Sequence, residues 1–372
     1  WKRYTAKGAA KVAELKRDND GTIKENLIIK GNNLLALHSL LEQFRGKVRL
    51  IYIDPPYNRD ADAFYNDNFK HSTWLTFMRN RLAIARRLLR KDGIIFVQID
   101  ETEHAYLKVL LDEIYEPENF LNDISVKVKS VAGVSGGGED RSLRDIKESI
   151  LVYKEGGFGG FKNTEYWEEV TEEDAAGYDV LYKLGTNTHL FDKNSNSGLK
   201  IKFYEHKNFE ILTLGEVCQR EKLKLPQAIT KYRGFIFDGS FKAQTSLRDL
   251  VLAHTSQSQE IISIKYTPQS GRFKGNETIN YYEGRTKRLV NLIGHKIKLE
   301  KGSIFYQKTF GNLWTDISWN GITSEGGVIL KNGKKPEKLI ARILDIATEP
   351  GDIVFDFHLG SGTTPAVAHK MG

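Results

Sequence analysis

Four consecutive residues, Asp54-Pro55-Pro56-Tyr57, close an apolar run of strand length, Val48-Arg49-Leu50-Ile51-Tyr52-Ile53. At roughly one in twenty per position, a given tetrapeptide arises by chance in a chain of 372 residues on the order of a few times in a thousand. A turn with no other role would accept many other sequences here. The residue types suit one kind of chemistry. An amino group conjugated to an aromatic ring is a poor nucleophile, because its lone pair is delocalised into the ring. Two acceptors aimed at its two hydrogens draw the nitrogen toward a tetrahedral geometry. The Asp54 carboxylate can be one acceptor, and the Pro55 carbonyl, held rigid by Pro56, the other. Tyr57 offers a face on which an extruded base can stack. Such a site needs no metal.

A second stretch, Asp356-Phe357-His358-Leu359-Gly360-Ser361-Gly362-Thr363-Thr364, follows the apolar run Ile353-Val354-Phe355. A glycine-rich loop between a buried strand and a helix lets the backbone approach a ligand closely, and the free amides at the helix start favour an anionic group. No Lys-Ser or Lys-Thr pair follows the glycines, so this is not a triphosphate loop, and the spacing is not that of a dinucleotide fingerprint. A tight strand-to-helix turn remains the alternative for the loop taken alone. If the activated nitrogen takes a methyl group, the donor is a sulfonium, which S-adenosylmethionine supplies together with an amino-acid tail. The loop suits that tail, and Asp356 is placed for its ammonium or for a bridging water. Ligands of open α/β sheets bind at strand C-termini, so the two motifs are expected to meet in space.

The flanking elements are readable from periodicity. Leu27-Ile28-Ile29-Lys30, ended by Gly31, predicts a short strand, and Asn32 to Phe44 a helix with Leu34, Leu35, Leu37, Leu40 and Leu41 on one face. Trp74 to Leu89 repeats the helical period, and Lys91-Asp92-Gly93 breaks it. Ile94 to Ile99 has the near-continuous apolar character of a strand buried on both faces. A helix from Glu103 to Ile114 and a strand from Ser149 to Tyr153 continue the alternation. It resumes with a helix from Pro336, at an early helical position, to Ala347, the turn Glu349-Pro350-Gly351, the strand before the glycine loop and a helix starting near Pro365. This is the pattern of an α/β domain, a mostly parallel sheet with helices on both faces. Between Gly156-Gly157 and about Gly327 the alternation stops, which predicts a separate α+β module. The expected division is 1–156, 157–327 and 328–372, the last part stopping at Gly372 just as a helical pattern begins.

Composition limits the alternatives. The chain is 40% hydrophobic and 28% charged, with no run near the ~18 apolar residues of a membrane span and no secretory signal. A single cysteine, Cys218, indicates neither a disulfide scaffold nor a cysteine-rich metal site, so a reducing cytoplasm is the expected location. The net charge is +7, yet residues 200–310 hold 20 Lys and Arg against 10 Asp and Glu. That local excess fits a polyanion-binding face or an ordinary solvated surface, and charge alone does not choose between them.

Taken together, the two motifs resemble the amino-methylating DNA methyltransferases of the β class, in which the Asp-Pro-Pro-Tyr motif precedes the cofactor loop. The similarity covers 26–153 and 333–372 and is greatest to the modification subunits of type III restriction-modification systems. It extends to Ile28-Ile29-Lys30-Gly31-Asn32-Asn33-Leu34 and to 68–100. The resemblance implies a Rossmann-like, S-adenosylmethionine-dependent methyltransferase fold with an inserted target-recognition domain, acting on adenine N6 of a flipped base. It assigns Asp54, Pro55, Pro56 and Tyr57 to the base, Asp356 to Thr364 to the cofactor tail, and Lys335, Pro336 and Glu337 to the helix start beside that pocket. Asn32 stands where many relatives carry an acid facing the cofactor's adenine. Within the basic module, Lys222, Lys224, Lys231, Arg233, Arg272, Lys274, Arg285, Lys287 and Arg288 are the expected phosphate contacts to double-stranded DNA. A homodimer, a restriction subunit as partner and a prokaryotic cytoplasm near the nucleoid follow by the same analogy. A cytosine-N4 enzyme is disfavoured, since those relatives more often carry Ser in place of Asp54. An inert recognition subunit would have no need of Asp54, Tyr57 and the glycine loop, and RNA as substrate is left open by the motifs.

Overall fold

The computed structural model describes residues 2–5, 8–11, 14–59, 70–129, 145–238, 245–270, 273–284, 286–328, 330 and 333–372. They form two compact units, one of 1–164 with 310–372 and one of 165–309.

The first unit is built on a six-stranded sheet. Its strands in chain order are β1 (Val48–Ile53), β2 (Leu89–Ile99), β3 (Phe120–Lys127), β4 (Lys147–Lys154), β5 (Leu313–Trp314) and β6 (Val354–Phe355), and their spatial order is β5-β3-β4-β2-β1-β6. The β6/β1, β1/β2 and β5/β3 pairs are parallel, whereas β4 runs antiparallel to both β2 and β3. Side chains alternate across the pleat, so each strand feeds two cores. Ile51, Ile53, Ile95, Val97 and Ile99 face one way and pack under α1 (Asn33–Phe44), α2 (His71–Leu88) and α3 (His104–Tyr115), through Leu37, Trp74, Met78, Leu82, Leu107 and Leu111. Leu50, Tyr52, Ile94 and Phe96 face the other way and meet α4 (Glu337–Ala347) through Leu339, Ile340, Ile343 and Leu344. Helices therefore cover both faces, as the apolar β-runs require.

Two local expectations change, and one strand was not expected. Leu27 to Lys30 is not a strand: the segment pairs with no ladder, and Ile28 and Ile29 are exposed while β6 forms the sheet edge. The strand expected from Ile94 begins five residues earlier, because Leu89 pairs with Val48 and the irregularity between Val48 and Leu50 absorbs Lys91-Asp92-Gly93. Phe120–Lys127, in which Asn122 and Asp123 interrupt the apolar pattern, is a strand because its neighbours β4 and β5 supply the ladder.

The second unit holds an eight-stranded antiparallel sheet in the order Glu210–Thr213, Asp179–Lys183, Ile236–Asp238, Arg288–Leu292, Thr278–Glu283, Ile261–Tyr266, Lys200–Lys207 and Thr186–Asn194. The helix Thr245–Thr255 covers one face, with Val251 against Phe203, Ile262 and Ile264. The helices Leu214–Glu221 and Leu225–Tyr232 close a further core with Val180, Ile236 and Ile304. Among the described residues no helix is long and apolar enough to cross a membrane.

Gly93 lies where β2 crosses close to its own backbone. A Cβ there would stand 2.8 Å from the Arg90 carbonyl oxygen and 3.1 Å from that of Val48. Gly93→Ala is expected to lower unfolding stability by about 1–3 kcal/mol, read as a fall in denaturant midpoint at unchanged slope.

Candidate active site

The register of β6 on β1, Val354 opposite Leu50 and Phe355 opposite Ile51, brings the segments that follow each strand to the same edge. Asp54 and Asp356 are close enough there for the charge of one to raise the carboxyl of the other. The two motifs meet as expected.

Asp54-Pro55-Pro56-Tyr57 is held as a rigid unit. Trp74, fully buried on α2, donates its Nε1–H to the Pro56 carbonyl at 2.8 Å. Tyr57 points its hydroxyl back at Asp54 Oδ1, 2.7 Å away. Pro56 thus carries the structural hydrogen bond. The Pro55 carbonyl and Asp54 Oδ2 accept none among the described residues.

Two residues complete this cluster, one of them unnoticed from sequence and the other placed elsewhere by it. The Lys335 ammonium lies 3.1 Å from Asp54 Oδ1, 3.0 Å from Glu148 Oε2 and 2.7 Å from the Tyr57 hydroxyl. Glu148 also takes the Tyr57 hydroxyl at 2.8 Å and the Gln98 amide at 2.5 Å, and Gln98 in turn accepts from the Tyr52 hydroxyl at 2.6 Å. A phenol has one proton, so Tyr57 donates to Asp54 or to Glu148 while accepting from Lys335. The expectation for Lys335 is corrected in part. Its backbone carbonyl does accept from Thr363 of the glycine loop at 3.2 Å, but its charge serves the Asp54 side.

The electrostatics follow from enclosure. Burial pushes the Asp54 carboxyl up, and Lys335 pulls it part of the way back. For Glu148 burial also acts upward, but the Lys335 charge and the donors around it prevail, and the net direction is down. Burial and the two carboxylates hold the Tyr57 phenol well above its ordinary range. Lys335 is raised overall, because the two carboxylates outweigh the effect of burial. One ammonium thus serves two carboxylates, leaving a single negative charge in excess.

Across the strand edge, Asp356 is the staple of the glycine loop. Its Oδ1 accepts the His358 amide at 2.8 Å and its Oδ2 the Thr364 hydroxyl at 2.7 Å. Burial still pushes its carboxyl up to about 7. Gly360 and Gly362 adopt φ of +53° and +80°, in the left-handed region that a side chain would strain. The second of them caps α5 (Thr363–Lys370), whose first amides face the loop. Ser361 and Thr363 share a hydroxyl contact at 3.0 Å. Pro336 caps α4 and is buried, whereas Asn32 is exposed and caps α1 by accepting from Leu34 at 3.0 Å and Leu35 at 3.4 Å. Asn32, Asn33, Asp356, Phe357, Leu359 and Thr364 all line a cleft of about 1260 Å³ within the first unit.

In the second unit, Lys222, Lys224, Lys231, Arg233 and Lys274 are exposed, with Lys231 paired to Glu221 at 2.8 Å. Arg288 is partly buried and pairs with Glu283 at 3.3 Å. Lys287 is a correction. It is fully buried, and its ammonium caps the carbonyls of Ser258 at 2.7 Å and Glu260 at 3.3 Å, so it offers no charge to a phosphate. Arg272 and Arg285 lie outside the described residues.

Similarity to known proteins shows the family of the chain. A family model described as DNA methylase, of the N6/N4 methyltransferase type, matches residues 48–372. The chain is 45% identical over 382 residues to the "Probable type III restriction-modification enzyme HindVI Mod subunit" of Haemophilus influenzae, covering 99% of this chain and 50% of that protein. It is 28% identical to the type III restriction-modification enzyme EcoPI Mod subunit of Escherichia phage P1, over 93% of this chain and 55% of that protein. Among solved structures, the cytosine-N4-specific PvuII DNA methyltransferase aligns with a TM-score of 0.40 at 13% identity, over 92% of this chain and 77% of that one. The chain spans about half the length of these curated relatives. With the family model matched from the catalytic strand to Gly372, the chain belongs to the N6/N4 DNA methylase family.

Proposed function

We propose that this chain is the methyl-transferring part of the modification subunit of a type III restriction-modification system, acting on adenine N6 in double-stranded DNA with S-adenosylmethionine as donor. The observation that carries the reading is the pair of free acceptors, Asp54 Oδ2 and the Pro55 carbonyl, on a loop pinned from both sides by Trp74 and Tyr57. A flipped adenine presents two amino hydrogens, and two preset acceptors bind them best when the nitrogen is pyramidal, as it is in the transition state. The ring of Tyr57, its hydroxyl tied down, is a fixed platform for the base. Lys335 and Glu148 fix Asp54 and Tyr57 in this arrangement, so little reorganisation is left for the reaction itself. The bound donor would supply an electrophilic methyl group on sulfur. As the N–C bond forms and the methyl–sulfur bond breaks to leave a neutral thioether, the amino nitrogen must shed a proton, and Asp54, raised by burial, is the acceptor at hand.

The donor's amino-acid tail fits the glycine loop, where left-handed glycines and the start of α5 present backbone amides to a carboxylate. The unit of 165–309, within the expected 157–327 module, would recognise the target. Lys222, Lys224, Lys231, Arg233, Lys274 and Arg288 would position the phosphates, without Lys287. A restriction subunit as partner, a homodimer and a cytoplasmic setting belong to the same proposal.

Purified protein with labelled S-adenosylmethionine is expected to methylate a mixed-sequence duplex, and mass spectrometry of the digested DNA to show N6-methyladenine rather than N4-methylcytosine. Asp54→Ala should abolish transfer with DNA affinity held within a few-fold, while Glu148→Gln should slow it by roughly 10–100-fold. A protein that binds cofactor normally and methylates no duplex would sink the proposal; unchanged turnover in the Gln variant would remove Glu148 from the site.

The raised carboxyl of Asp356 gives a second check. Its value of about 7 in the fold lies above the roughly 4 of an unfolded chain. The stability it contributes is therefore full below about pH 4 and is lost as pH rises toward 7. A cofactor ammonium beside it would favour the carboxylate. Binding at pH 6 is thus expected to release a proton, and binding at pH 8.5 to release almost none, measured by calorimetry in buffers of different ionisation heat. Asp356→Asn should remove the difference.

A further inference from the structure

Most shielded cations in this unit have a carboxylate partner, while buried Lys334 turns its ammonium to the carbonyls of Glu325 and Val328. Lys335 has two carboxylates, Arg86 pairs with Glu155 and Glu116, and Arg49 with Asp92 and Asp352. Arg81 is different. It sits on the sheet-facing side of α2, is 8% exposed, and forms no ion pair among the described residues. Its Nε donates to Asn33 Oδ1 at 2.9 Å and its Nη1 to the Phe77 carbonyl at 2.7 Å, both neutral acceptors. The guanidinium lies 3.5 Å over the Phe77 ring. Among the described residues Nη2 has no partner, and it is not among the polar atoms enclosed by protein. Burial alone acts on its basicity, downward.

An arginine in this condition holds a positive charge in a poorly solvated place without an anion, an arrangement that costs stability unless something else supplies the negative charge. Its surroundings say where that anion would come from. Asn33, which orients the guanidinium, also donates to the carbonyl of Phe357 at 2.9 Å, inside the cofactor loop. Phe77, on which the guanidinium rests, faces the His358 ring of the same loop, with centroids 6.0 Å apart. His358 adds no charge, since burial, together with the Arg81 cation, pushes it down to about 3. Arg81 is therefore joined to the glycine loop through Asn33 and Phe77.

We infer that Arg81 is the counter-charge for the carboxylate of the cofactor's amino-acid tail, a positioning residue seated in α2 beneath the loop. The inference rests on the cofactor reading above. It divides the tail between two poles, with Asp356 on the side of the ammonium and Arg81 on the side of the carboxylate, so that the tail is oriented as well as bound.

Two probes separate this role from a structural one. S-adenosylhomocysteine carries the tail, and 5′-methylthioadenosine has the same thioether and nucleoside without it. Calorimetric titration of both into the wild-type protein, Arg81→Lys and Arg81→Met, with thermal melting of each free protein, gives the readout. The Met variant is expected to lose at least about tenfold in affinity for S-adenosylhomocysteine, keep methylthioadenosine within about twofold, and melt at or above the wild-type temperature, since an unmatched buried charge has been removed. The Lys variant, which keeps the charge and loses the fork, should fall between them. Equal losses for both probes, or a lower melting temperature with the preference for the tail intact, would make Arg81 a structural residue and overturn the inference alone. Wild-type protein that binds neither probe would overturn the cofactor reading and this inference with it.

Discussion

One ammonium holds the catalytic edge together. Lys335 reaches Asp54, Glu148 and Tyr57 at once, joining three segments that are far apart in the chain: the loop after β1, the start of β4 and the approach to α4. Without that charge two buried carboxylates would share the Tyr57 hydroxyl with no cation to balance them, and in a low-dielectric site one of them would have to take up a proton. The cluster is therefore a condition for an ionised Asp54. The same residue ties the Asp54 loop to the glycine loop, because its carbonyl accepts from Thr363. A displacement of α4 is felt by both.

The sheet makes this convergence possible through its one reversed strand. β1 and β6 are parallel neighbours, so their C-terminal loops fall side by side. β4 is antiparallel to β2, with Ser149 opposite Ile99 and Ile150 opposite Gln98. Its beginning therefore lies at the edge where the parallel strands end, and Glu148, second residue of that strand, arrives beside Asp54. In a strand of the other sense the same glutamate would sit at the far edge of the sheet.

That dependence on strand sense explains what the sequence made readable. Asp54 to Tyr57 and Asp356 to Thr364 are contiguous motifs at the ends of apolar runs, so their types, their spacing and their meeting at one edge could be read directly. The two-faced core was readable too, since Leu50 to Ile53 and Ile94 to Ile99 form apolar runs interrupted only by Gln98. Glu148 gave only a faint signal, an acid opening the apolar run Ile150 to Tyr153, and its meaning depends on a topology that local patterning does not encode. Lys335 was found by position and assigned to the cofactor, because a backbone contact with one ligand pocket and a side chain in another cannot be separated in one dimension. Lys287 shows the limit of charge counting. A lysine among basic neighbours reads as surface, but at φ of +47° its chain turns inward and ends on two carbonyls. The segment Leu27 to Lys30 failed for the complementary reason. Its apolar residues have strand character, but a strand also needs a neighbour to complete its ladder.

Arg81 and Lys335 together suggest how such a site balances stability against binding. Both are cations with little access to water, held within the same unit. Lys335 is fully matched, and it holds Asp54 and Tyr57 in place in the resting protein, as the proposed function requires. Arg81 has hydrogen bonds that fix its direction and, among the described residues, no carboxylate that would quench its charge. A matched cation stiffens the resting site and has little left to offer a ligand, whereas an unmatched one weakens the resting fold and gains most when an anion binds. Oriented but unneutralised is the state in which a buried guanidinium contributes most to affinity, because the cost of its burial is already part of the free protein.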